Sequence, residues 1–233
     1  GTGTLDTTTN TPNTVEFTGT NITDIALTGV ISSFNNLSLA SGPQSWGGIT
    51  LSLTSPEGLL HDAVYDKANG YAYFAADTDP GIIIKVRVSD MVRIGALTLT
   101  SAAGESFLEG AVIDTTRGFA YFSTSTTPTG HIIKVDLSTF TKAATLDTTA
   151  AGENEYHSAV IDVAAGYAYF ITDAGPSTMV KVDIDPVRTP DFTTARVGAI
   201  TFNAGENFLL AAAIDLVGGH IYLGTATTAV AGI

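Results

Sequence analysis

The chain has 233 residues and no cysteine, and its 10 Lys and Arg against 23 Asp and Glu give a formal charge of −13. That balance leaves no basic stripe to neutralise phosphates, which argues against nucleic acid and anionic membrane as partners. The missing thiols exclude disulfides, thiolate metal sites and a Cys nucleophile.

Hydrophobic residues make up 44% and charged residues 14%, so the polar surface must come mainly from uncharged Thr, Ser and Asn. Thr is the commonest residue, and its β-branched side chain favours extended strands over helix. An all-β fold is the expectation.

In chain order, residues 1–57 read as a divergent N-terminal β segment. Strands are expected at Thr14 to Phe17, Thr23 to Val30 and Asn36 to Ala40, and a further one at Gly48 to Ser55, which aligns with Gly95 to Ser101. The segment reads as a degenerate blade, as strands that close a ring, or as a small domain docking on a neighbour. Asn21-Ile22-Thr23 and Asn36-Leu37-Ser38 are glycosylation tripeptides. The chain starts at Gly1, and secretion or cell-surface location is the expectation. No apolar run approaches the roughly 20 residues of a bilayer span, so membrane insertion is not expected.

Residues 58–233 repeat. Ala63-Val64-Tyr65-Asp66 leads to Gly70-Tyr71-Ala72-Tyr73-Phe74, and Ala111-Val112-Ile113-Asp114 to Gly118-Phe119-Ala120-Tyr121-Phe122. Ala159-Val160-Ile161-Asp162 leads to Gly166-Tyr167-Ala168-Tyr169-Phe170, and Ala212-Ala213-Ile214-Asp215 to Gly219-His220-Ile221-Tyr222-Leu223. The period is about 48 residues, lengthened in the third unit by a loop between Asp185 and Gly198 that contains Pro186 and Pro190. Ile84-Lys85-Val86, Ile133-Lys134-Val135 and Val180-Lys181-Val182 recur in phase, as do Gly104-Glu105, Gly152-Glu153 and Gly205-Glu206.

Each unit reads as four short strands bounded by Gly, Pro, Asp and Thr. They are the Ala-Val-Ile-Asp, aromatic and Ile-Lys-Val segments and a last one such as Ala96 to Thr100 or Ala143 to Leu146. The spacing Asp-x-x-x-Gly between the first two is turn chemistry: Asp bonds its own downstream backbone and Gly takes a positive φ. Tyr121 and Phe122 point to opposite faces of their strand and neither is polar, so that strand is expected to be buried on both sides. Face-to-face packing of four-stranded antiparallel sheets in a β-propeller supplies that burial. The length suggests about five blades, the C-terminal one ending after its second strand.

At these segments the chain resembles the YVTN-type and semaphorin-like propeller repeats of secreted and surface-layer proteins of archaea and bacteria. The resemblance covers residues 58–233 and implies a secreted or surface-anchored module of the cell envelope. Trp-Asp dipeptides, kelch-like paired glycines and the sialidase-type box are missing from the sequence, and its single Trp is Trp46.

The sequence carries no recognisable catalytic motif, and a noncatalytic structural or adhesive protein is expected, self-associating or bound to other cell-surface proteins. A module for glycans or a divalent cation is the alternative, and a hydrolase or lyase using channel carboxylates with His61 or His157 a third. His61 and His157 share one repeat position, five before the Asp, where the other units carry Glu109 and Leu210. These positions are expected just ahead of the innermost strands, at one mouth of the channel. His61, Glu109 and His157 are therefore the candidate divalent-metal ligands. Glu105, Glu153 and Glu206, in turns placed beside that mouth, form a candidate oxygen rim for Ca2+. Tyr71, Tyr73, Tyr121, Tyr167 and Tyr169 are read as inter-blade core.

Overall fold

The computed structural model of the chain describes residues 53–128, 130–148 and 153–226. The strands expected before residue 48 lie outside that range, as do both glycosylation tripeptides and Trp46; of the strand expected at Gly48 to Ser55 only residues 53–55 are described, and they form no strand.

Three four-stranded antiparallel sheets follow one another, each with its strands in chain order. The first holds β1 (Leu60–Asp66), β2 (Tyr71–Ala76), β3 (Ile82–Arg87) and β4 (Val92–Thr98); the second holds β5 (Leu108–Asp114), β6 (Phe119–Thr124), β7 (Gly130–Asp136) and β8 (Thr141–Thr148). The third holds β9 (Tyr156–Asp162), β10 (Tyr167–Thr172), β11 (Thr178–Asp183) and β12 (Arg196–Thr201), and β13 (Leu209–Asp215) pairs with β14 (His220–Thr225) as a two-stranded sheet. Each first strand begins before the Ala-Val-Ile-Asp motif and each fourth strand before the residues expected, because pairing with a neighbour extends a strand past its apolar centre.

The hairpin between the first two strands of each sheet has the expected chemistry. Gly118 N–H donates to the Asp114 carbonyl at 2.9 Å, Thr116 and Arg117 N–H donate to the Asp114 carboxylate at 3.0 Å, and Gly118 sits at φ +78°. The same Asp-to-Gly bond closes at Asp66, Asp162 and Asp215.

Successive sheets pack through their first strands, β1 on β5, β5 on β9 and β9 on β13. One core lies between the first two sheets, where Tyr73, Ile83, Leu108, Phe122 and Ile133 meet. A second lies between the next two, built from Val112, Tyr121, Ile132, Tyr156, Phe170 and Val180. Tyr121 and Phe122 are both fully buried and belong to opposite cores. Double burial holds for the inner sheets and not for the outer ones: Tyr65 on β1 and Tyr222 on β14 are each 50% exposed.

Tyr73 and Tyr121 are core residues as expected. Tyr71, Tyr167 and Tyr169 are half-buried; Tyr71 packs against the core between the first two sheets, and Tyr71 and Tyr167 also lie under the lysines of the third strands. Lys85 Nζ stands 4.3 Å from the Tyr71 ring centroid and Lys181 Nζ 3.6 Å from that of Tyr167; Lys134 repeats the contact at 4.0 Å over Phe119. The lysine that recurs in phase therefore covers the aromatic that recurs in phase.

Candidate metal centre

Every first strand carries the same irregularity. On β1, Leu60 pairs with Ala76 and Asp62 with Ala75, so His61 is the extra residue of a β-bulge. Glu109 occupies that place between Leu108 and Gly110 on β5, His157 between Tyr156 and Ser158 on β9, and Leu210 between Leu209 and Ala211 on β13. A left-handed residue stands two positions ahead of each bulge: Leu59, Phe107, Glu155 and Phe208, with φ between 52° and 55°. Its carbonyl accepts a bond from the residue that follows the second strand, Asp77, Ser125, Asp173 and Ala226 in turn. A bulge re-aims one side chain out of the strand's alternation, and here it does so once per sheet on the innermost edge. These residues thus lie within the first strands, as bulges, and not ahead of them as the sequence suggests.

Three of the bulged side chains meet. The ligand atoms of His61, Glu109 and His157 all lie within 4.8 Å of one another. The rings of His61 and His157 stand 4.8 Å apart, centroid to centroid, although one belongs to the first sheet and the other to the third. Two contacts between sheets set this closeness. Ala111 N–H donates to the Asp62 carboxylate at 2.8 Å, tying β5 to β1 beside the site. Gly110 lets β9 approach: a Cβ there would fall 2.5 Å from Ser123 Oγ and 3.3 Å from the backbone of Ser158.

The site's hydrogen bonding leaves donor atoms free. His61 Nδ1 lies 3.2 Å from the Glu109 carbonyl, and an N–H donated there leaves Nε2 unprotonated and able to ligate, the usual arrangement of a metal-bound imidazole. His157 Nδ1 lies 3.1 Å from Glu109 Oε2 but out of hydrogen-bond alignment, so this nitrogen, shielded from water, has no hydrogen-bond partner. Burial pushes the Glu109 carboxyl above its ordinary value, against the pull of His157 and His61, and the Asp77 charge adds to the push. A cation placed among the three side chains offsets that penalty directly. A tetrahedral ion with bonds of about 2.1 Å separates its ligands by about 3.4 Å, so shifts of about an ångström close the cluster onto it.

Glu105 and Glu153 are not beside this mouth. Both lie in connections between sheets and reach the outer, fourth strands. Glu105 is bound by Lys142 Nζ at 2.7 Å and by Thr145 Oγ1 at 2.7 Å, both on β8, and Glu153 is gripped by the Arg196 guanidinium on β12. Glu57, which the sequence reading did not single out, repeats the pattern with Arg93 on β4. Glu206 caps its own turn, accepting from Asn203 N–H at 2.8 Å. These carboxylates are occupied by cationic side chains or turn amides, and they do not form the Ca2+ rim expected of them.

No family model matches the sequence, and no curated protein does. Solved structures do match it. Over 78% of its length the chain is similar to the hydrazine synthase of Kuenenia stuttgartiensis, with a TM-score of 0.59 and 12% identity. Over 76% it is similar to a chain of a nidogen/laminin complex, with a TM-score of 0.54 and 12% identity. Over 66% it is similar to the Dos1 propeller, with a TM-score of 0.50 and 11% identity.

The fold is a β-propeller. The chain spans 46%, 60% and 37% of those three chains, less than two thirds of each, and at these identities the likeness concerns architecture only. Three of the bulged residues gather where the first strands of successive sheets pack together.

Proposed function

We propose that this propeller binds a divalent transition-metal cation at the channel mouth through His61, Glu109 and His157. The observation that carries the reading is the convergence of one bulged side chain from each of three successive blades, with ligand atoms within 4.8 Å. Two imidazoles and a carboxylate suit Zn2+, Cu2+ or Ni2+; Ca2+ takes oxygen ligands, six to eight of them. Each ligand comes from a different blade, so the ion would pin the inner strands together as well as occupy the channel.

Isothermal calorimetry with Zn2+ tests the proposal. One ion per chain at micromolar affinity or tighter is expected, lost in both His157→Ala and Glu109→Gln. Absence of binding to the unmodified chain would refute it.

A second reading concerns the setting of the module. The resemblance to YVTN-type repeats, the Thr-rich surface and the low charge support a noncatalytic extracellular scaffold or adhesive protein. Exposed apolar side chains at the last described blades, Val197, Ile200 and Tyr222, favour self-association with a second copy. Mass measurement in solution checks it: a dimer or larger assembly supports this setting, and a strict monomer at high concentration opposes it.

A further inference from the structure

Among the described residues, four first strands carry the bulge and three of them place a donor side chain there. Positions one to three carry His61, Glu109 and His157; position four carries Leu210, which has no donor atom and is 41% exposed. Among the described residues no other His, Asp or Glu joins the three-residue group. The remaining polar groups near Glu109 are already engaged or stand further off. Ser125 bonds the Glu109 carboxylate itself, Asp62 accepts from Ala111 N–H, and Asp77 acts on Glu109 through its charge without entering the cluster.

Tetrahedral ions held only for structure carry four protein ligands; sites with three protein ligands keep a position for water or an incoming donor. Solvent access completes the picture. His157 and Glu109 are each 18% exposed on their side chains, whereas His61 is exposed. One flank of the cluster faces water while the other is packed between blades.

From these placements we infer that the cation bound here has an open coordination position, filled by water at rest and by a small anionic donor from solution when one is present. The class of ligand is a monodentate anion: a carboxylate or an inorganic anion of similar size. Neutral apolar ligands have nothing to bind, and large polyanions meet a chain whose formal charge is −13. The inference rests on the cation-binding reading above and adds the vacant position and its occupant.

The test uses Co2+ in place of the native ion and azide as the anionic probe. Bound Co2+ should give visible d–d absorption of a four- or five-coordinate ion, and azide should shift those bands saturably, with one azide per Co2+. The same shift with acetate would place carboxylates among the ligands; no shift with acetate would restrict the class to inorganic anions and remove the carboxylate part of the inference. A Co2+ spectrum unmoved by azide at a hundredfold excess would overturn the open position while leaving cation binding intact. Failure of Co2+ to bind would instead overturn the reading beneath it. His157→Ala should lose the azide-sensitive spectrum, and an unchanged response in that variant would contradict the assigned ligand set.

Discussion

Glu105, in the connection that enters the second blade, lies 2.7 Å from Lys142 on that blade's outermost strand. The carboxylate side chain is 2% exposed and the lysine 35%, so this is a buried anion held by a half-buried cation. Thr145 Oγ1 and Thr100 N–H complete its bonding. The equivalent pairs Glu57–Arg93 and Glu153–Arg196 show that each described four-stranded blade is clasped in this way, from the connector across to the outer strand. Lys142→Met leaves the Glu105 carboxylate buried without its cation. A cost of about 2–3 kcal/mol is expected, read by urea denaturation. Glu105→Gln keeps the bonds to Thr145 and should cost less.

The same clasp sets an acid limit. Burial pushes the Glu105 carboxyl upward, but the Lys142 ammonium and the Thr145 hydroxyl outweigh it, and the net shift is below the ordinary value of 4.5. The Arg93 guanidinium lowers Glu57 in the same direction. A group whose value is lower folded than unfolded contributes its full stability above the unfolded value and loses it as pH falls through the folded one. Melting temperature should therefore hold steady down to about pH 4.5 and drop below it, with a smaller drop in the double variant Glu57→Gln/Glu105→Gln.

Phe122 and Tyr121 lie on neighbouring positions of β6 and fill different inter-blade cores. Phe122→Ala should cost about 3–5 kcal/mol, the usual loss for a fully buried ring. Removing the ring of the half-buried Phe119, which lies under Lys134, should cost less. Chemical denaturation of the two variants side by side checks the order.

Gly110 holds the metal centre's spacing from outside the ligand set. A Cβ there meets the backbone of Ser158, one residue after His157. Gly110→Val should move β5 away from β9 and weaken Zn2+ binding by tenfold or more, with the three ligands intact. Calorimetry reads this, and far-UV circular dichroism checks that the blades remain folded.

The repeat was legible because each blade must satisfy the same two demands, a tight first hairpin and burial on both faces. Asp114 and Gly118 reported the first, Tyr121 and Phe122 the second. Equal spacing also marked His61, Glu109 and His157 as equivalent positions. That equivalence placed them at one mouth as candidate ligands, but the bulges and the close approach at Gly110 that bring their ligand atoms within 4.8 Å of one another were not legible, because the left-handed residue two positions earlier is a Leu, Phe or Glu and carries no glycine signal. The recurring Gly-Glu turns are visible in the sequence, but which strands their carboxylates face is not. The basic partners Arg93, Lys142 and Arg196 lie 36 to 43 residues away in sequence, and aligned with one another they would have pointed to the outer strands.

Anomalous diffraction from crystals soaked in Zn2+ and measured at the zinc edge tests the three-blade metal centre most directly. The account predicts one strong peak about 2.0–2.2 Å from donor atoms of His61, Glu109 and His157. Zinc density elsewhere on the chain, with none among these three side chains, would contradict it.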